Sequence, residues 1–150
     1  ATTSSSRPSS SRSTRVRSPR RPSGAVRTSK RRDSSTPLSR AAAAHSQSMT
    51  ALGYFSHESQ NGTSFADRVK RFYEPRSGAW TVAENLAMFG GSAPTAQAIV
   101  AAWMGSPGHR ANLLHGGLRE AGIAIVHSSS AGGVFGGEPT WVVTLDIGRR

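Results

Sequence analysis

From Leu38 onward, apolar side chains recur at steps of three and four: Ala41, Ala42, Met49 and Leu52 share one face with His45, and Gly53 closes the run. Thr36 and Pro37 stand in front of it, a hydroxyl able to cap and a ring whose missing N–H would have been an orphan donor anyway. The spacing predicts a helix from Pro37 to Leu52 with Gly53 just past its end. The polar stretch "YFSHESQNGTSF" reads as a loop, and a second helix opens at Thr63 or Ser64 and runs through Phe65, Val69 and Phe72 to the break at Pro75. "TVAENLAMFGG" predicts a short helical turn ended by Gly90 and Gly91. From Ser92, with Pro94 in the first turn, Ile99, Val100, Trp103 and Met104 line one face of a further helix, which is interrupted at Gly105. Ser106 and Pro107 then restart it for one or two turns through Ala111 to Leu114.

Beyond Gly117 the period drops to two. Ile123 and Ile125 alternate in "AGIAIVHS", and "TWVVTLDIG" is rich in β-branched and aromatic residues. The Gly- and Ser-rich stretch 128–138 between them makes an antiparallel pair with a long hairpin loop the simplest arrangement. Helices first and strands afterwards predict an α+β domain, with helices packed on a small antiparallel sheet.

Composition divides the chain. Residues 1–40 hold 13 Ser, 4 Pro and 11 of the 19 Lys and Arg, against one acid, Asp33. So few apolar side chains cannot offset the entropy of ordering, so residues 1–36 are expected to be a disordered Arg/Ser-rich tail and 37–150 the folded domain. The same division places +10 of the net charge of +11 in the first 40 residues and leaves the folded part nearly neutral. An arm of that charge, residues 7–40, can contact anionic polymers, nucleic acid included, by releasing counterions. A solvated linker is the plainer reading, because no aromatic residue interrupts the arginines to stack on bases. The absence of cysteine excludes disulfides and thiolate metal sites. No apolar run is long enough to span a bilayer. A first residue Ala1 in place of methionine fits a processed product.

Three polar side chains stand beside structural breaks: His57 in "YFSHES", Glu84 in "TVAENLA" and His109 in "SPGHRAN". Each has an ordinary explanation. Thr81 and Glu84 have capping-box spacing, His57 can be a loop histidine bonded to backbone, and His109 lies at the start of a short helix. The helix dipole there holds His109 neutral, the form that a metal ligand or a base requires. His45 on the apolar helix face, His115 before a Gly-Gly turn and His127 at a strand end are weaker candidates. Two imidazoles and a carboxylate make an open metal site or an acid/base group if the fold brings them together. Separations of 27 and 25 residues match no local metal motif and leave that open.

The order of the blocks says more than any one of them. "AAAAHSQSMTALGYFSHESQNGTSFADRV", "AENLA", "AIVAAWMGSPGHRANLL", "REAGIAIV" and "WVVTLDIG" resemble, in that order over residues 38–148, the bacterial branch of the CAP superfamily, whose module is the SCP domain. The resemblance implies a three-layer α-β-α sandwich and a place outside the cell, secreted or wall-associated. It also implies a central cleft lined by two histidines and acidic residues, which in some relatives binds a divalent metal such as zinc. Carried over by position, His57 and His109 are the cleft histidines and Glu84 is the family glutamate, with Ser106 a further ligand-binding position.

The function that this implies is binding of a small ligand, lipid or cell-wall fragment. The alternative is a zinc-dependent hydrolase in which His57 and His109 hold the metal and Glu84 is a further ligand or the general base. Departures are visible. Ser106 stands three residues beyond Trp103, where many relatives have a second glutamate, and Ala83 replaces the glycine before Glu84. The Arg/Ser tract occupies the place of the family's first helix. A missing helix face of four or five large side chains is worth about 8 to 12 kcal/mol, so marginal stability is expected.

Overall fold

The computed structural model describes residues 31–150. The basic arm at residues 1–30, expected to be disordered and to contact anionic polymers, lies outside the described residues. The end of the expected tail is ordered. Asp33–Ser34 (β1) pairs in parallel, at Glu120 and Ala121, with a later strand, β3 (Glu120–Ser128). The Arg32 Nη2 donates to the carbonyls of Asn112, Leu113 and His115 at distances of 2.9 to 3.3 Å. Arg40 stands over the Phe72 ring at 5.9 Å. A guanidinium at a helix C-terminus meets the negative end of the dipole, so Arg32 belongs to the domain, as Arg40 does through Phe72.

The first helix, α1, spans Thr36–Leu52, with Ser35 in the N-cap position, Pro37 in the first turn and Gly53 as a left-handed C-cap at φ 70°. Leu38, Ala41, Ala42, His45, Ser46 and Met49 are buried, whereas Leu52 faces solvent. Helix α2, Phe65–Lys70, is capped by Ser64, whose hydroxyl accepts from Asp67 N at 3.1 Å. It stops short of the predicted Pro75; Phe72 and Tyr73 pack from the following turn. Helix α3, Ala96–Met104, begins at the Thr95 cap, later than Ser92, and α4 spans Pro107–Leu114. Strands β3, Glu120–Ser128, and β4, Thr140–Arg149, form the predicted antiparallel hairpin.

The helical turn predicted at "TVAENLAMFGG" is a strand: β2, Thr81–Gly90, pairs antiparallel with β4 along its whole length, from Thr81↔Arg149 to Gly90↔Thr140. Val82, Leu86 and Phe89 are spaced four and three apart, so the apolar positions follow the helical period. Glu, Leu, Ala and Met favour the helix locally, and ten residues of ladder with β4 override them. The Thr81–Glu84 capping box is therefore not formed.

The sheet order is β1-β3-β4-β2, antiparallel except for the short β1. The strand register puts Val82, Glu84 and Leu86 of β2 on one face with Val142, Thr144 and Asp146 of β4, and this face is closed by α1. Gly122 on β3 allows the approach: a Cβ there would lie 2.0 Å from Ser39 N. Ala83, Asn85, Ala87 and Phe89 lie on the opposite face, against α3 and α4. Helices on both faces give an α+β, three-layer sandwich. Only Ile99 and Trp103 of α3 are buried; Val100 and Met104, expected on the same inner face, are 49% and 37% exposed. The helix meets the sheet along a narrow ridge, which leaves the neighbouring positions outside.

Candidate functional site

Glu84 lies at the centre of a buried polar cluster beneath α1. Its side chain is 1% exposed. Oε2 accepts from Arg68 Nη2 on α2, an ion pair that places the counter-charge directly on the carboxylate. Oε1 accepts from His57 Nδ1 at 2.9 Å and lies 4.0 Å from His45 Nε2. Arg68 also donates through Nη1 to the His57 carbonyl at 3.0 Å, so one guanidinium neutralises the glutamate and fixes the loop that carries the histidine. Burial works to raise the Glu84 pKa, but the His57 hydrogen bond and the Arg68 charge outweigh it and hold the group below its usual value.

His45 is fully buried, and its Nε2 donates to the Ser56 carbonyl at 2.8 Å. Burial drives its pKa down against the attraction of Glu84, and the Arg68 charge adds to the fall. The ring is therefore neutral, part of the wall that shapes the loop.

Asp146 is the direct cross-strand partner of Glu84 and is completely buried. Neither of its oxygens meets an N–H or hydroxyl donor, and the polar group against it is the Glu84 carboxyl. Burial first, and then the negative charge of Glu84, push the Asp146 pKa up to about 9. A carboxyl that cannot be stabilised as an anion keeps its proton.

His57 differs from these groups in standing half in solvent, with its side chain 51% exposed. It lines a cleft of about 380 Å³ with Phe65, Val82, Ala83, Glu84 and Asn112. The cleft takes in successive β2 residues from both faces, which locates it on the free edge of that outermost strand. Across the edge, α4 is stitched to β2: Asn85 Nδ2 donates to the His109 carbonyl at 3.0 Å, and Asn112 Nδ2 donates to Asn85 Oδ1 at 2.9 Å and to the Glu84 carbonyl at 3.3 Å. His109 is half-buried on α4; burial lowers its pKa and the nearby His57 lowers it further. The expected direction holds, with burial as the leading cause in place of the dipole.

The fold thus brings His57 into contact with Glu84 and places His109 within electrostatic reach of His57. Ser106 is at the N-cap of α4, makes no side-chain cap and does not line the cleft. Arg68, Asp146, Asn85 and Asn112 are members that the sequence reading missed, and His45, a weaker candidate there, belongs to the cluster. Asp146 had a signal: a lone acid in phase with Val142 and Thr144 on the buried side of a strand. Arg68, beside the core residue Val69, had a similar one.

The donor set does not fit a resident metal. Both Glu84 oxygens are engaged by Arg68 and His57, which leaves two imidazoles, one short of the three protein ligands of an open zinc site. Among the described residues no three His, Cys, Asp or Glu side chains are arranged to hold a metal ion. What the cluster does offer is an oriented base. With Nδ1–H committed to Glu84, the His57 Nε2 is left with a lone pair to accept a proton or a hydrogen bond.

Comparison with known proteins agrees with this architecture. The chain is 37% identical over 93 residues to YkwD of Bacillus subtilis, a match covering 62% of this chain and 34% of that protein. An SCP-domain extracellular protein from Bacillus anthracis superposes with a TM-score of 0.59 at 24% identity, over 79% of this chain and 34% of that one. An outer surface protein from Borrelia burgdorferi gives 0.62 at 17% identity, over 79% and 77%. The chain thus spans about a third of the curated relative it matches. The model of the CAP family, the cysteine-rich secretory protein family, matches residues 33–145, and the chain belongs to that family.

Proposed function

We propose that this domain works outside the cell as a binding module whose cleft at the β2 edge takes a small hydroxyl- or amide-bearing ligand, such as a cell-wall fragment or a lipid headgroup, without turning it over. One observation carries this reading: a half-exposed His57 is pinned through Nδ1 to a buried, charge-neutralised Glu84 at the wall of an open cleft. The ring edge that faces away from Glu84 accepts from a ligand O–H or N–H, and Phe65 offers an apolar surface beside it. The extracellular and outer-surface descriptions of the structural neighbours support the location. No helix among the described residues is long and apolar enough to cross a membrane.

Titration calorimetry with N-acetylglucosamine oligomers and with phosphatidylglycerol vesicles tests the proposal. Saturable binding to one probe, lost in His57→Ala and kept in Ile125→Ala, is expected. Failure of both probes, or equal binding by His57→Ala, overturns it. The carboxylate-oriented imidazole is also the wiring of a general base, which favours hydrolysis as a second reading. Polymer cleavage abolished in both Glu84→Gln and His57→Ala would replace binding by hydrolysis.

A further inference from the structure

Asp146 takes no part in the contacts that define the cleft, yet it is buried against the group that orients His57. On its other side, the β3 residue opposite is Gly122, which brings no side chain. From α1 come Ser46, whose hydroxyl is committed to Thr144 Oγ1 at 2.7 Å, and neutral His45. The Arg68 guanidinium from α2 bonds Glu84 and the His57 carbonyl. Arg68 Nε finds no acceptor, and none of these groups lies within hydrogen-bond distance of either Asp146 oxygen; two facing carboxylates would present acceptor to acceptor in a dry site. Only a proton between them makes the contact attractive.

We propose that Asp146 is held as the neutral acid and is a positioning residue: its O–H donates to the Glu84 carboxylate and fixes the oxygen that receives His57 Nδ1–H. The inference rests on the His57–Glu84 cleft described above, but it concerns an internal hydrogen bond whose readouts need no ligand. The buried cluster then carries one full ion pair, Glu84 with Arg68, and otherwise neutral groups. That balance explains how two acids share a site with one arginine.

Infrared spectroscopy and ring-nitrogen NMR on the whole chain test it. At neutral pH the wild type should show the carbonyl band of a protonated carboxyl group, and Asp146→Asn should lose it. The amide of Asp146→Asn still offers an N–H to Glu84, so His57 should stay the Nδ1–H tautomer; Asp146→Leu offers none, and the His57 tautomers should mix. Denaturation across pH gives a third readout that survives if Asp146→Leu does not fold. A carboxyl protonated only in the folded state stabilises fully below its unfolded pKa and loses that contribution as pH rises toward the folded value. The folded-to-unfolded ratio of the wild type relative to Asp146→Asn should therefore fall about tenfold per unit between about pH 5 and pH 8. A missing band, a band that persists in Asp146→Asn, a flat ratio, or an Asp146→Leu that folds with His57 undisturbed each overturns the assignment. Intact readouts combined with no ligand binding would leave Asp146 in place and remove only the binding function.

Discussion

The two faces of the sheet are built on different terms. Under α1 the packing is complete: Leu38, Ala41 and Ala42 are fully buried, and even the polar residues His45, Ser46, Thr144 and Asp146 are sealed from solvent. On the opposite face α3 and α4 cover β2 and β4, through Ile99 and Trp103 against Ala87 and Val143, and stop there. Along β3 the side chains of Ile123 and Ile125 are 49% and 47% exposed. The closed face has rigidity to spare and carries the ionisable cluster at its β2 end. The open face carries apolar surface that, among the described residues, nothing covers. A cleft that must hold an imidazole to within a few tenths of an ångström sits next to the closed face, where packing limits motion.

Removing the counter-charge on the closed face should have the largest effect. Arg68→Met leaves Glu84 buried and unpaired and should cost about 3 to 5 kcal/mol in urea unfolding. Replacing Glu84 by Gln in the same chain should recover much of that loss. If Arg68→Met is nearly neutral, the ion pair does not organise this face and the contrast between the faces fails.

Next come matched truncations. Leu38→Ala, at a fully buried position beneath α1, should cost about 2 to 5 kcal/mol, whereas Ile125→Ala should cost about 1 kcal/mol, because half of that side chain is already wet. Equal costs would mean that something covers β3 in solution. The same uncovered strip supports the expectation of marginal stability. A cooperative thermal transition well above about 60 °C would contradict it.

Acid should act on the closed face through two groups. Glu84 and His45 are both depressed, so each contributes stability above its unfolded pKa that is lost as pH falls through the folded value. His45 therefore weakens the fold as pH drops below about 6.5 and Glu84 does so further down, from about 4. His45→Gln should flatten the first of these steps in a pH series of denaturation midpoints. A profile unchanged by that substitution would show that His45 titrates freely in spite of its burial.

How much of this was legible in the sequence follows the same division. Helices α1, α3 and α4 and the β3–β4 hairpin were readable because a single period or a cap decides each. Strand β2 was not, since Val82, Leu86 and Phe89 fall at the helical steps of four and three and only pairing with β4 overrides them. His57, Glu84 and His109 were nameable as polar residues beside breaks, but no local spacing could bring them together; the order of the family blocks did. Arg68 and Asp146 were overlooked as site members in spite of their apolar neighbours, because a charge in a helix or strand reads as solvated until the facing strand is known. Ser106 was carried over by position and, like His109, is not among the residues that line the cleft.

The smallest expected effect probes where the closed face ends. Arg32 lies just before β1 and donates to three carbonyls at the end of α4, the helix that carries His109 and Asn112. The contact is partly exposed, so Arg32→Ala should cost only about 1 kcal/mol. Its consequence should nevertheless be directional. A loosened last turn of α4 releases Asn112 from Asn85 before it disturbs Glu84 on the other face of β2. Amide exchange in Arg32→Ala should therefore quicken across Leu113–His115 and leave the protection of β4 unchanged. Faster exchange in β4 as well would mean that the two faces open together, and that the division between them is one of composition and not of mechanics.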